Sequence, residues 1–154
     1  MLVKEEFEIG RGGLATVYKT RFRKQDVAAK ILRNRHDVLA EQAASDRKDL
    51  QKEAELLHGL NHPNVIKVKA ILQCDNIIVG YLMELLGLCL RIRLQSRKLG
   101  PSELHQALRN TCQGAAYLHR NLISHNDLNC NNLVKCGLSW LKRFLVSFCV
   151  FECF

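Results

Sequence analysis

The sequence predicts an α+β fold: a small antiparallel sheet carrying one long helix, followed by the start of a helical part. Three observations point there. Short runs rich in branched and aromatic residues, broken by turn-forming residues, read as strands within residues 7–32 and again within 65–83. Two longer stretches, near 37–60 and 102–121, repeat apolar residues at helical spacing. The order strands, helix, strands, helix, loop suits a small sheet with one helix packed on it, leading into a helical part.

The first strand is Phe7 to Gly10, followed by a glycine-rich turn over Arg11 to Leu14 and a returning strand over Ala15 to Arg21. Asp26 to Leu32, rich in small and branched residues, gives a third strand. From about Asp37 to Leu60 the pattern is helical, with Leu50, Ala54 and Leu57, and Leu56 and Leu60, at i+3 and i+4 spacing. Gly59 marks the end, and His62-Pro63 cannot readily continue a helix. Val65 to Leu72 and Ile77 to Met83 then form a strand pair about the turn Cys74-Asp75-Asn76. After a Gly- and Leu-rich connection, Pro101 and Ser102 start a second helix that runs to about Asn121. Its expected buried stripe is Leu104, Leu108, Thr111, Ala115 and Leu118.

Composition narrows the class. A chain of 154 residues with 47% hydrophobic and 25% charged residues is an ordinary globular composition, which excludes disorder throughout. Net charge of +8 and a pI near 9.3 raise nucleic-acid binding. The densest basic clusters, Arg21 to Lys24 and Arg91 to Lys98, are short, so no nucleic-acid partner is expected. The same charge would suit the phosphates of a nucleotide. Seven cysteines, odd in number and irregular in spacing, make neither a disulfide framework nor a zinc site. Acidic residues in Met-Leu-Val-Lys-Glu-Glu-Phe stand where a signal peptide would be apolar. A cytoplasmic, reducing compartment is the expectation.

Several short patterns could carry chemistry. Gly10-Arg11-Gly12-Gly13-Leu14-Ala15-Thr16-Val17 places glycines where backbone amides could approach phosphates and take positive φ; a plain hairpin turn would look the same. Lys30 ends Val27-Ala28-Ala29-Lys30, and a lysine on a buried strand is costly unless it is paired or meets a phosphate. On an edge strand it would simply reach water. Glu53 and Glu55 both lie on the long helix, about 200° apart round its axis, so one of them can face the strand and the other cannot. Tyr81-Leu82-Met83-Glu84-Leu85 taken alone is a buried strand ending in a surface glutamate. In His125-Asn126-Asp127-Leu128-Asn129-Cys130-Asn131-Asn132, a carboxylate and an amide stand five residues apart.

These five patterns, in this order, resemble the eukaryotic protein kinase domain over residues 5–135. The phrases Ile-Gly-Arg-Gly-Gly and Glu-Ala-Glu-Leu-Leu-His-Gly-Leu-Asn-His-Pro-Asn look most like the tyrosine-kinase-like group, especially mixed-lineage kinases, whose members mostly phosphorylate serine and threonine. The resemblance implies a small lobe over about 1–86, with an antiparallel sheet and its C-helix, and the beginning of the helical large lobe over 87–135. It implies ATP-dependent transfer to a protein serine or threonine, with ATP and a protein as partners and Mg2+ as cofactor. Gly10, Gly12, Ala15 and Val17 would belong to the phosphate loop, with Ala15 in place of the motif's third glycine. Ala28, Met83, Glu84 and Leu86 would line the adenine site, with Met83 as gatekeeper. Lys30 would bind the α- and β-phosphates and Glu53, not Glu55, would orient it. Asp127 would act as base, Asn132 as a metal ligand and His125 as a structural residue. Asn126 replaces the arginine that reads activation-loop phosphorylation. Asn129 replaces the lysine that serine/threonine kinases place beside the γ-phosphate.

The pattern then breaks. In the family the second metal-holding aspartate, of the D-F-G triplet, follows about a dozen residues after the catalytic loop. No aspartate follows Asp127 in this sequence, and Glu152 is the only later carboxylate. Gly137 to Phe154 holds four of the six phenylalanines and the only tryptophan. Its longest uncharged run, Phe144 to Phe151, is eight residues, against the roughly 20 needed to span a bilayer. Residues 136–154 read either as a hydrophobic tail foreign to the family or, with Lys142 and Arg143, as a membrane-touching or partner-binding helix. Membrane contact is not the expectation. What the resemblance implies is a truncated kinase domain with little or no phosphotransfer of its own. The alternative is a pseudokinase-like fragment that binds ATP or competes for a kinase's partners.

Overall fold

The computed structural model describes residues 7–33, 39–97 and 99–134. The proposed helix start at Asp37 and the tail at 136–154 lie outside the described residues. The chain divides into two compact units, Met1–Leu60 with Lys67–Leu85, and Asn61–Ile66 with Leu86–Phe154.

The first unit is a five-stranded antiparallel sheet with one long helix. Its strands are β1 (Phe7–Arg11), β2 (Ala15–Phe22), β3 (Gln25–Leu32), β4 (Val68–Cys74) and β5 (Ile77–Glu84), in the spatial order β1-β2-β3-β5-β4. Two hairpins turn on residue pairs with positive φ, Arg23 and Lys24 at 49° and 65°, and Asp75 and Asn76 at 50° and 63°. Two successive left-handed residues match the right-handed twist of the flanking strands. Asp75-Asn76 advertises such a turn. Arg23-Lys24 does not, and that hairpin is supported instead by Lys19 Nζ 2.8 Å from Asp26 across it.

Register decides which residues meet. Directly opposed residues in antiparallel strands share a face. Val17 opposes Lys30, Ala15 opposes Leu32, and on the other side of β3 Lys30 opposes Tyr81 while Ala28 opposes Met83. One face therefore carries Ala15, Val17, Ala28, Lys30, Tyr81 and Met83. The other buries Val27, Ala29 and Leu82, with Phe22, Ile31, Ala70 and Leu72 packed around them. The helix α1 (Ala40–Gly59) packs on β5, β4 and β3 and buries Leu50, Glu53, Ala54 and Leu57 on one stripe. Full burial of Leu50 and Leu57 stabilises by about 1.5–3 kcal/mol each. Gly80 is required by close approach: a Cβ there would collide with the Lys30 carbonyl oxygen and lie 3.2 Å from Ile31 Cα.

The second unit contains α2 (Leu90–Gln95) and α3 (Pro101–Arg120). The α2 helix stands in what the sequence suggests is a connection; six residues are too few for a period to declare itself. Its first amides are held from outside, Leu90 N–H donating to Leu133 O at 2.7 Å and Arg91 N–H to Cys130 O at 3.1 Å. Proline occupies the first position of α3, one residue before the expected Ser102 start, and Glu103 Oε2 accepts from the Gly100 N–H at 3.1 Å. The seam of α3 is also corrected. Ala107, Gly114 and Leu118 are buried, whereas Leu108 is 52% exposed. Hydropathy favours Leu over Ala and Gly, but the period alone does not fix which of two adjacent residues turns inward. A further correction concerns Val65 and Ile66. They are buried as the sequence suggests, but β4 begins only at Val68, since an apolar run does not separate a buried loop from a strand.

Candidate functional site

The predicted residues fall into two sets, one in each unit. In the first unit Lys30 comes from the middle of β3 and Glu53 from the buried stripe of α1. Lys30 Nζ donates to Glu53 Oε1 at 2.7 Å and to Oε2 at 2.6 Å, with side-chain exposures of 16% and 7%. Two of the three ammonium protons are spent on this bidentate contact, which leaves one for another acceptor. Glu55, round the helix from Glu53, is exposed and accepts from Gln51 Nε2 at 2.9 Å. The helical angle alone separates the two glutamates.

Ala15, Val17, Ala28 and Met83 share the face of the sheet that presents Lys30, and Ala15, Ala28 and Met83 are each 3% exposed. Gly10 lies in β1 opposite Val17 and beside an irregularity in register, while Gly12 stands in the β1–β2 turn. None of Gly10, Gly12 and Gly13 takes a φ between +20° and +160°, and a Cβ at any of them would meet ordinary van der Waals contact or open space. The expectation of positive φ in this loop is therefore corrected: what the glycines provide is uncovered backbone. The loop is tied down by Gly12 N–H to Ala15 O at 2.9 Å and by Arg33 Nη1, which donates to Gly12 O at 3.1 Å. Arg33 carries no motif signal and is invisible from sequence. At the end of β5, the Glu84 N–H donates to Lys67 O at 3.3 Å and Glu84 Oε1 accepts from the Lys67 N–H at 2.7 Å. Leu86, half-buried, lies beyond the strand and in the second unit.

Tyr81 is the residue that motif reasoning misses here. It is 1% exposed, and Lys30 Nζ stands 5.7 Å from its ring centroid. Burial, and then the charge of Glu53, push the Tyr81 phenol well above its ordinary range.

In the second unit the segment after α3 is a chain of local hydrogen bonds. His125 is 5% exposed, and its Nδ1 accepts from the Asp127 N–H at 3.2 Å. An accepting Nδ1 carries no proton, which fits a structural role for this ring. Asn126 holds a left-handed φ of 53° and brings Asp127 round. Both carboxylate oxygens of Asp127 are engaged: Oδ1 accepts from Asn129 Nδ2 at 2.6 Å and Oδ2 from Asn132 Nδ2 at 2.8 Å. Asn132 Nδ2 also donates to Asp127 O at 2.8 Å. Its second amide atom, Oδ1, remains as the acceptor that could turn to a cation.

These groups can be weighed against the ligands expected. One unspent ammonium proton on a sheet face of small apolar residues fits a phosphate chain beneath a planar base. Magnesium fits less well. It prefers carboxylate and phosphate oxygens, and among the described residues no group of three or more His, Cys, Asp or Glu could hold a metal. Asn132 Oδ1 alone is not a magnesium site.

Comparison with known proteins agrees with this geometry. The protein kinase domain family matches residues 3–136. Cyclin-dependent kinase 7 of Xenopus laevis is 32% identical over 127 residues, which cover 82% of this chain and 36% of that protein. Serine/threonine-protein kinase PLK4 of Drosophila persimilis is 32% identical over 143 residues, covering 84% of this chain and 17% of that protein. The chain thus spans well under two thirds of either relative, and neither supports the tyrosine-kinase-like or mixed-lineage placement. A kinase-type small-lobe sheet with its helix, the Lys30–Glu53 pair on it, and a family match over nearly the whole chain lead to one statement: the chain belongs to the protein kinase domain family.

Proposed function

We propose that this chain binds ATP through Lys30 and carries the catalytic loop of a serine/threonine protein kinase, and that its 154 residues transfer little or no phosphate unaided. The observation that carries the reading is the bidentate Lys30–Glu53 pair, since a half-buried lysine so held presents a fixed cation to a phosphate. The name of one relative, serine/threonine-protein kinase PLK4, supports the hydroxyl class of the acceptor.

In the full reaction Asp127 would take the proton of a serine or threonine hydroxyl while that oxygen attacks the terminal phosphorus of ATP and ADP leaves. Lys30 would neutralise charge on the phosphates that remain with ADP. Asn129, neutral where the family has lysine, would add no charge at the transferred group. No carboxylate stands where the D-F-G aspartate belongs.

A second reading, a non-catalytic ATP-binding or partner-competing fragment, is favoured by one observation. The Asp127 carboxylate has both oxygens on asparagine amides, which compete with a substrate hydroxyl for them. Intracellular residence is proposed as well, supported by the unpaired Cys74, Cys89, Cys112 and Cys130.

Thermal-shift titration with ATP, with and without magnesium, tests the binding, with Lys30→Met as control. An ATP-dependent rise in midpoint that disappears in Lys30→Met is expected; equal shifts in both would overturn it. Phosphate transfer to a serine/threonine peptide library that vanishes in Asp127→Ala would overturn the proposed inactivity.

A further inference from the structure

We propose that Arg33 is a positioning residue for the glycine turn between β1 and β2, clamping it at both ends so that its uncovered backbone amides keep one direction. This deepens the nucleotide-binding reading and rests on it for the purpose served, not for the contacts.

Three observations carry the inference. Arg33 follows β3 directly and grips the turn twice. Its Nη1 donates to Gly12 O at 3.1 Å, and its backbone N–H donates to Leu14 O at 3.1 Å. The turn does little to hold itself: Gly12 N–H donates to Ala15 O at 2.9 Å, but neither Gly12 nor Gly13 has a left-handed φ or a close neighbour that would fix it. The other cation beside the turn is committed elsewhere, since Arg11 gives Nε and Nη2 to the two Glu8 oxygens at 2.9 Å and 2.5 Å.

Peptide geometry gives the clamp its purpose. A trans peptide is planar, so its N–H points opposite to its C=O. Drawing Gly12 O toward Arg33 therefore turns the Gly13 N–H away from the guanidinium. Drawing Leu14 O toward the Arg33 amide fixes the next peptide but one in the same manner. Among the described residues no hydrogen bond occupies the Gly13 or Leu14 amide. Successive uncovered amides of this kind suit the oxygens of a phosphate. Without the side-chain contact the two glycines could swing the peptide between them, and a phosphate would have to order its own donors. Arg33 does that ordering beforehand, which lowers the cost of binding.

Two measurements on the full chain test this. The first needs no nucleotide. In 15N relaxation the Gly12, Gly13 and Leu14 amides are expected to behave as rigid backbone in the parent and to fall to order parameters below about 0.6 in Arg33→Met. The turn at Lys24 serves as internal reference and should not change. Arg33→Lys keeps one donor and should recover most of the order. Parent-like order at Gly12 to Leu14 in Arg33→Met overturns the clamp. The second measurement tests the purpose, by displacement of trinitrophenyl-ATP with ATP and with adenosine. ATP affinity is expected to fall about tenfold in Arg33→Met, as for loss of one charge-assisted hydrogen bond, and to return largely in Arg33→Lys. Adenosine, which has no phosphate, should bind Arg33→Met as it binds the parent. Equal losses for ATP and adenosine, or no loss for ATP, overturn the positioning role. Parent-like ATP binding by Lys30→Met would refute nucleotide binding through Lys30 while leaving the relaxation result to decide the clamp.

Discussion

Removing Lys30 should destabilise the first unit more than removing its partner charge, and removing both should recover much of the loss. At 2.7 Å the two charges attract by about 6 kcal/mol at an effective dielectric of about 20, and desolvation of both groups takes back most of it. Single removals are not neutral, because they strand the other charge. Lys30→Met leaves the Glu53 carboxylate, 7% exposed and anchored on a helix stripe, without its cation; about 3 kcal/mol of stability is expected to go. Glu53→Gln leaves Lys30, 16% exposed, with four methylenes on which to swing its head toward water, so the loss should be nearer about 2 kcal/mol. The double variant Lys30→Met/Glu53→Gln strands no charge and should lose about 2 kcal/mol less than the sum of the singles. Native-state hydrogen exchange at the amides of Ala29 and Leu82, both 0% exposed, reads the free energy of the first unit regardless of the second. Strict additivity, or a Lys30→Met loss under about 0.5 kcal/mol, would refute the account of a buried pair whose members depend on each other.

Three further outcomes follow from the packing and from the histidine. Gly80→Ala should lose about 2–3 kcal/mol by the same exchange measurement, because its Cβ meets β3 backbone that cannot swing aside. Leu122→Gly should stabilise the second unit by about 1 kcal/mol in urea denaturation, since Leu122 closes α3 at φ 58° with Ile123 N–H on Leu118 O and is 82% exposed. His62, stacked on Tyr117 at 4.7 Å with Nδ1 accepting from Asn64, is held below its ordinary pKa by burial and then by Arg120. Its folded value lies below its unfolded one, so its contribution is present above about pH 6.5 and lost as pH falls through the folded value. Denaturation midpoints should therefore drop between neutral and acid pH, and His62→Phe should flatten that limb.

Much of the site was legible because its residues obey periodicities. The helical angle alone separates Glu53 from Glu55, and strand alternation puts Ala28 and Lys30 on one face. What escaped depends on partners rather than on pattern. Tyr81 looks like any strand aromatic until the β3–β5 register sets it opposite Lys30. Arg33 reaches Gly12 across a turn that no motif spans. The α2 helix is too short to show a period, and in α3 it is Ala107 that is buried while Leu108 is exposed, which hydropathy ranks the other way. Asn129 was legible as a lost lysine but not as a donor to Asp127.

The central claim, that the paired Lys30 meets a nucleotide's phosphates, is tested most directly by an acyl-phosphate derivative of ATP, which transfers its acyl group to an amine beside the phosphate chain. Mass-spectrometric mapping of the full chain should find the acyl group on Lys30, suppressed by excess ATP and lost with Glu53→Gln. Acylation spread evenly over exposed lysines such as Lys24 and Lys52, with Lys30 unmarked or unprotected by ATP, would contradict it.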